Sequence, residues 1–311
     1  DIAARQYLWN TELGMDVVSN IVINKNSLYL VGKIEKTEKS ENGESSRKRQ
    51  SYFLKEINKL TGLTNRQTEL NLPAGADEKF FLDIKKERII AVGRSGGVYF
   101  FNNADGSLAG NLQSGKNVSS VPFFSDNEII AGTSDDKIII IPFDGSVPTA
   151  TATAKTVSAV ISTPDGKIIY GDRHGGVTAL NKSDKIKIWK FRAGAEISDI
   201  TQTPFGALIS SFDNYVYLIS TADGKLVWKK RMPGRTFARP LVRDGFAVIA
   251  NLYEPEAEIV ELKTGRIVNR LFLETENYFD GAVFLFEHSL VFSTLKGLTG
   301  FTAFPGKCAE S

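Results

Sequence analysis

Residues 168–192 read IIYGDRHGGVTALNKSDKIKIWKFR, and residues 208–231 read LISSFDNYVYLISTADGKLVWKKR. Each passage runs from an apolar strand through a polar turn to a second apolar strand. An Asx- or glycine-bearing turn then leads to a third strand, which carries a tryptophan followed by basic residues. Ile168 and Leu208 lie 40 residues apart, and Trp189 and Trp228 lie 39 apart. A fixed period near 40 with three or four strands per unit marks a repeat architecture, in which each unit buries its apolar faces against its neighbours.

The glycine of the second turn extends this period in both directions. It falls at Gly62, Gly106, Gly145, Gly224, Gly265 and Gly306, with Lys185 in the slot between Gly145 and Gly224. The steps are 44, 39, 40, 39, 41 and 41 residues, so seven units account for nearly the whole chain. The spacing predicts units over residues 18–72, 79–113, 118–155, 156–193, 196–232, 236–273 and 279–307. The outer strand of the third is weak, because Thr and Ala carry residues 148–155. In the first unit, residues 33–50 (KIEKTEKSENGESSRKRQ) hold one apolar side chain, Ile34. So polar a stretch buries too little surface to offset its ordering entropy, and a mobile hairpin extension is expected.

The seventh unit ends at Lys307 without an outer strand of its own. Residues 5–13 (RQYLWNTEL) supply a spare one, with Trp9 in the place that Trp189 and Trp228 hold in their units. The expected fold is therefore all-β: one domain over residues 1–311, a seven-bladed β-propeller of four-stranded blades. The N-terminal strand pairs into the last blade and removes the exposed edge that an open sheet presents. Nowhere do apolar residues recur at helical spacing over three turns, whereas strict alternation and runs such as the four isoleucines at 138–141 recur throughout.

Composition and motifs exclude several function classes. A formal net charge of +2 gives no global electrostatic case for nucleic acid. No apolar run reaches the roughly 18 residues a membrane span requires. The single cysteine, Cys308, allows neither an internal disulfide nor a Cys/His metal set. His174 and His288 fall in turns that open on opposite faces, so they cannot share a metal. No metalloprotease, serine-hydrolase, phosphate-loop or calcium-loop motif is present. Ser95-Gly96-Gly97 and His174-Gly175-Gly176 are hairpin turns rather than phosphate cradles, because no helix follows them. The chain starts at Asp1 with no initiating methionine, which is read as a trimmed or mature chain and a pointer to export.

The recurring pattern is an apolar strand, then Val/Leu-x-x-Leu/Phe, then Asp/Thr-Gly-x-x-x-Trp, and it resembles the PQQ-like (quinoprotein-type) repeat. The residues that carry it are Gly176-Val177-Thr178-Ala179-Leu180 with Trp189, Val216-Tyr217-Leu218 with Ala222-Asp223-Gly224-Lys225 and Trp228, and Leu262-Lys263-Thr264-Gly265-Arg266. Two units match closely, four loosely, and the third is degenerate. The resemblance implies either a quinone-dependent dehydrogenase or a non-enzymatic propeller. The dehydrogenases have eight larger blades, a pair of adjacent cysteines and a calcium or lanthanide site, so the non-enzymatic branch is expected, with no cofactor and no metal. Within that branch the chain looks most like the lipoproteins of outer-membrane assembly, the BamB type, which usually have eight blades and a lipidated cysteine. The expected role is a protein-binding scaffold in the periplasm or cell envelope. Its contact with membrane would come only through an anchor or span outside these 311 residues. The sensor ectodomain of a membrane protein is the rival reading.

Candidate functional residues are basic. Between Lys229 and Arg243 the chain carries Lys229, Lys230, Arg231, Arg235, Arg239 and Arg243 with no acid among them. In the plain reading these are solvated loop ends, with one arginine paired to a carboxylate such as Asp199. In the sharper reading an anionic partner or peptide docks near Arg235 and Arg239, and Arg94, Arg173 and His174, from equivalent turns, extend the patch. Trp9, Trp189 and Trp228 are assigned to packing between blades, since position four after the turn glycine is peripheral.

Overall fold

The structure, a computed structural model, describes residues 11–24, 26–39, 46–70, 72, 78–236, 238–286 and 289–302. In those residues the chain forms seven antiparallel sheets of consecutive strands and no helix. Sheets 1 to 7 span residues 16–70, 80–113, 123–152, 157–192, 197–231, 241–272 and 279–302. Sheets 2 to 6 have four strands each. Sheet 1 has five, because its first strand is broken into Asp16–Val17 and Val22–Ile23, and sheet 7 has three among the described residues. Trp9, His288, Gly306 and Cys308 lie outside the described residues.

The isoleucine run explains the layering. In sheet 3, Ile139 and Ile141 pack with Ile90, Val92 and Val118 toward sheet 2, whereas Ile138 and Ile140 pack with Val157, Val160 and Ile168 toward sheet 4. Successive strand residues point to opposite faces. Both faces are covered here, so a continuous apolar run replaces the usual alternation. The same rule sends Ala207 and Ile209 toward sheet 4 and Leu208 toward sheet 6. Six apolar clusters fill the six junctions between consecutive sheets. Each fully buried Val, Leu, Ile or Phe side chain contributes about 1.5–3 kcal/mol, so stability resides between sheets rather than within any one.

At the outer strands a β-bulge interrupts pairing one residue before the tryptophan position, for example between Ala179 and Leu180 and between Leu218 and Ile219. The bulge re-aims the next side chain. Trp189 thereby reaches sheet 5, where Nε1 donates to Thr221 O at 3.0 Å, and Trp228 reaches sheet 6, donating to Leu262 O at 2.7 Å. Each indole lies on the turn glycine of that next sheet. A Cβ on Gly224 would sit 2.7 Å from Trp189 Cδ2, and one on Gly265 would sit 2.7 Å from Trp228 Cδ2. Arg66 takes the tryptophan place in sheet 1, lying against Gly106 and donating to Ala104 O and Asn103 O. Lys185, in the glycine slot of sheet 4, adopts the left-handed backbone the slot demands, with φ 64°.

First strands are stitched by hydroxyls. Ser119, Ser158 and Ser198 donate from Oγ to Val157 O, Ile197 O and Thr236 O of the following sheet, each at 2.7 Å. They occupy the same place in a second repeat, Val/Ile-Ser-x-Val/Ile, at 118–121, 157–160 and 197–200. A fourth copy, at 18–21, bridges from Ser19 to Phe80. In sheet 1 the strands Ser27–Lys39 and Ser46–Asn58 pair from Ser27↔Asn58 out to Lys39↔Ser46. Their outside neighbours stop at Lys33 and Tyr52. A two-stranded ribbon therefore projects about 20 Å beyond the sheet, at about 3.4 Å per residue.

Candidate functional site

Turns between second and third strands gather at one end of the sheets, and the basic candidates lie there. Asp172 builds the turn of sheet 4: its Oδ1 accepts from His174 N at 2.7 Å and Gly176 N at 3.0 Å, an Asx-type turn that leaves Arg173 and His174 exposed. Arg173 Nε is 4.0 Å from Glu196 Oε1, a loose contact in which the arginine side chain keeps 57% of its exposure. Arg235 precedes sheet 6 and sets its guanidinium 5.9 Å from the centre of the Phe212 ring, which belongs to the turn of sheet 5. Arg239 Nε donates to the buried Asp199 Oδ1 at 2.9 Å, while Thr201 Oγ1 donates to Asp199 Oδ2 at 2.6 Å. Asp199 is thus the carboxylate that holds one arginine, Arg239, whereas the Arg235 guanidinium stands against a ring face.

Arg94 belongs to the same end but is separate. Its guanidinium lies 5.7 Å from the Phe81 ring on sheet 2. The corresponding turn of sheet 3, between Arg94 and Arg173, carries Asp135 and Asp136. Hydrogen bonds from Thr133, Lys137 and Lys116 hold the Asp135 carboxyl far below the usual carboxylate range. The turn of sheet 3, where Lys116 and Lys137 pair with Asp135, therefore separates Arg94 from Arg173, and over sheets 4 to 6 the cations share their end with Glu196, Asp213 and Glu254.

Two further cations extend the patch outward. Arg192 pairs with Gly176 and Arg231 with Tyr215, so both fall at this end of their outer strands and both are exposed. Between them Phe191 and Tyr217 meet edge to face at 5.5 Å, and Lys229 Nζ lies 5.4 Å over Tyr215. The signal for them was the basic ending of each tryptophan strand, KFR and KKR. The run from Lys229 to Arg243 does not stay together: Lys230 turns into the junction with sheet 6, and Arg243 pairs with Asp244 at the opposite end.

This surface can bind a carboxylate-bearing chain through guanidinium forks and ring faces. Among the described residues, no three His, Cys, Asp or Glu side chains come together as a metal set. A cleft of about 800 Å³ opens at the other end, between sheets 2 and 3, and mixes Lys85, Lys86 and Arg88 with Glu87, Asp126 and Asp144. With both charges balanced around it, that cleft selects neither sign of ligand.

The model of the family described as Outer membrane protein assembly factor BamB matches residues 173–268. A curated relative, the Outer membrane protein assembly factor BamB of Salmonella typhimurium, is 29% identical over an alignment of 92 residues that covers 26% of this chain. That match spans 24% of the relative's length. Among solved structures, BamB from Moraxella catarrhalis superposes with a TM-score of 0.61 at 12% identity, over 93% of this chain and 97% of that one. The computationally designed Ika8 protein gives 0.62 at 11% identity over the same shares. The chain shares its fold with these solved structures, and over residues 173–268 it resembles BamB and its PQQ-like repeats. No helix in the described residues is long and apolar enough to cross a membrane.

Proposed function

We propose that this protein is a non-enzymatic docking propeller of the cell envelope, serving outer-membrane protein assembly from the periplasm by holding a protein partner against the basic end of sheets 4 to 6. One observation carries this reading. The stretch similar to the assembly-factor family, residues 173–268, contains Arg173, His174, Arg235 and Arg239, and the fold brings all four to one end. The partner contributes carboxylates to Arg173 and Arg235, while Arg239 stays with Asp199. Arg94, beyond the acidic turn of sheet 3, contacts only a partner broad enough to span three sheets. The similarity over these residues is to an assembly factor, which supports the non-enzymatic branch.

The same proposal includes seven blades and closure by residues 5–13. Sheet 7 has three described strands and needs a fourth. The docking rule seen twice, tryptophan onto the turn glycine of the next blade, assigns Trp9 to Gly62 of the first.

A photo-crosslinking amino acid placed at Arg173 or Arg235, with Arg88 at the opposite end as control, tests the docking surface in envelope extracts. We expect adducts with a component of the outer-membrane assembly machinery from the first two positions only. Arg173→Glu/Arg235→Glu should cut recovery of that complex several-fold at an unchanged melting temperature. Equal adducts from Arg88, or an intact complex after charge reversal, would sink the reading.

A further inference from the structure

Four of the junctions between sheets are sealed by apolar contacts at the place where the second strand of one sheet meets the first strand of the next. Val92 packs with Val118, and Ala250 with Phe279. Gly132 lies so close to Val157, and Gly171 to Ile197, that a Cβ on either glycine would sit 2.5 Å from the partner's Cβ. Steps of 39 residues from Gly132 reach Gly171 and then Ser210; steps of 40 and 39 from Val157 reach Ile197 and then Thr236. The junction of sheets 5 and 6 therefore sets two hydroxyls where its neighbours set glycine against a β-branched hydrocarbon.

Ser210 and Thr236 are both fully buried, and neither hydroxyl oxygen has a hydrogen-bond partner among the described residues. Further out the pattern continues. Asn251, fully buried, donates from Nδ2 to Glu256 O and leaves Oδ1 unpartnered. Glu258 pairs with Ile249, which faces sheet 5, so its carboxyl faces the same way. It is 2% exposed; Oε1 lies 3.6 Å from Arg270 and Oε2 has no partner. The only other buried side-chain oxygen without a hydrogen bond, Glu128 Oε1, is ion-paired with Lys182 at 2.5 Å. Every remaining orphan among the described residues thus falls in one junction, in a file from first strand to third.

From this arrangement we infer that the junction of sheets 5 and 6 is where the propeller opens, hydrating Ser210, Thr236, Asn251 and Glu258 as it does so. Closed, these oxygens have no hydrogen-bond partner in the protein among the described residues; open, they are exposed to water. Restoring even one such group to water multiplies an opening constant by about tenfold or more. Every junction loses apolar burial when it parts, this one included, but the others gain nothing of this kind in return. Trp228 clasps the far end through Leu262 and Gly265, so the movement is a hinge about that clasp, widening toward Arg235. The inference is independent of which partner docks.

Thiol labelling of matched sites tests it. Ile209 faces sheet 4 and Ile249 faces sheet 5, they stand 40 residues apart, and both are buried. In a Cys308→Ser background, Ile249→Cys should react about tenfold faster than Ile209→Cys below the unfolding transition. Adding Ser210→Gly and Thr236→Val, which copies the neighbouring junctions, should slow Ile249→Cys to the Ile209→Cys rate and leave Ile209→Cys unaffected. Equal rates in the first comparison, or no slowing in the second, overturns the inference. Thr236→Val alone is nearly isosteric, so it provides the same readout at half the change if the double substitution fails to fold.

Discussion

The clearest test of how neighbouring blades hold each other is Gly265→Ala. Gly265 has φ 73°, and its added Cβ would lie 2.7 Å from Trp228 Cδ2. Alanine in the left-handed region costs about 1–2 kcal/mol. Overpacking against the rigid indole adds about 1–3 kcal/mol, for a total of about 2–5. Gly145 is the internal control: its φ is 85°, nothing lies within 4 Å of its built Cβ, and its sheet has no tryptophan before it. Gly145→Ala should therefore cost only the backbone share, about 1–2 kcal/mol. Trp228→Ala removes a half-buried indole and one hydrogen bond, about 2–4 kcal/mol. Once the ring is gone, Gly265→Ala should fall to the Gly145→Ala value, so the double-mutant cycle should show a coupling of about 1–3 kcal/mol. Urea denaturation monitored by far-ultraviolet circular dichroism reads all four proteins. Additive costs, or a Gly145→Ala as damaging as Gly265→Ala, would refute the claim that the indole and the glycine form one joint.

Three more outcomes follow from the same coordinates. Lys185→Gly relieves a left-handed non-glycine backbone and should stabilise by about 1 kcal/mol, raising the melting temperature by about 1–2 °C in a calorimeter; a fall would mean that the lysine side chain matters more than its φ. Trp9→Ala should destabilise about as much as Trp228→Ala if the N-terminal strand closes the ring, and a silent Trp9→Ala in the same urea series would remove that closure. Burial raises the pKa of Glu258, with Lys230 and Arg270 opposing it. An acid whose folded pKa is raised destabilises the fold once pH exceeds the unfolded value, and fully above the folded one. Glu258→Gln should therefore raise the melting temperature by about 1–2 °C at pH 8, with the gain vanishing below about pH 4; a pH-independent difference would show that the carboxylate is not the cause.

The period of the chain was legible because each blade repeats its chemistry at the turn, where backbone geometry restricts the choice of residue. Lys185 could be placed in the glycine slot by counting alone, and it adopts the slot's positive φ. An arginine of the basic run paired to a carboxylate such as Asp199 was the plain reading of that stretch, and Arg239 is the one that pairs. Other features were not legible for identifiable reasons. A bulge adds one residue to a strand without changing its composition, so the aim of Trp189 and Trp228 onto the next glycine could not be read from spacing. The serine stitches were present as a second repeat, but serine in a strand has many uses, and only the 2.7 Å bonds to the next sheet single this one out. Residues 33–50, by contrast, read as a hairpin extension too polar to pack, and the two strands do continue through backbone pairing to Lys39↔Ser46.

The basic run shows why charge in sequence and charge in space differ here. Along a strand, neighbouring residues face opposite junctions, so Lys229 lies over Tyr215 on the side of sheet 4 while Lys230 approaches Glu258 on the side of sheet 6. Past the strand, the chain crosses to the next blade, where Arg235 stays at the turn end, Arg239 descends to Asp199, and Arg243 reaches the opposite end beside Asp244. Cations that look like one patch in sequence are dealt to separate environments. Arg173, in contrast, comes from about 60 residues upstream of Arg235 and shares its end, because the repeat period, and not sequence distance, decides which turns are neighbours. A docking surface on this fold is assembled by equivalent positions of successive blades, and substitutions spaced by one period should perturb the same partner while substitutions a few residues apart should not.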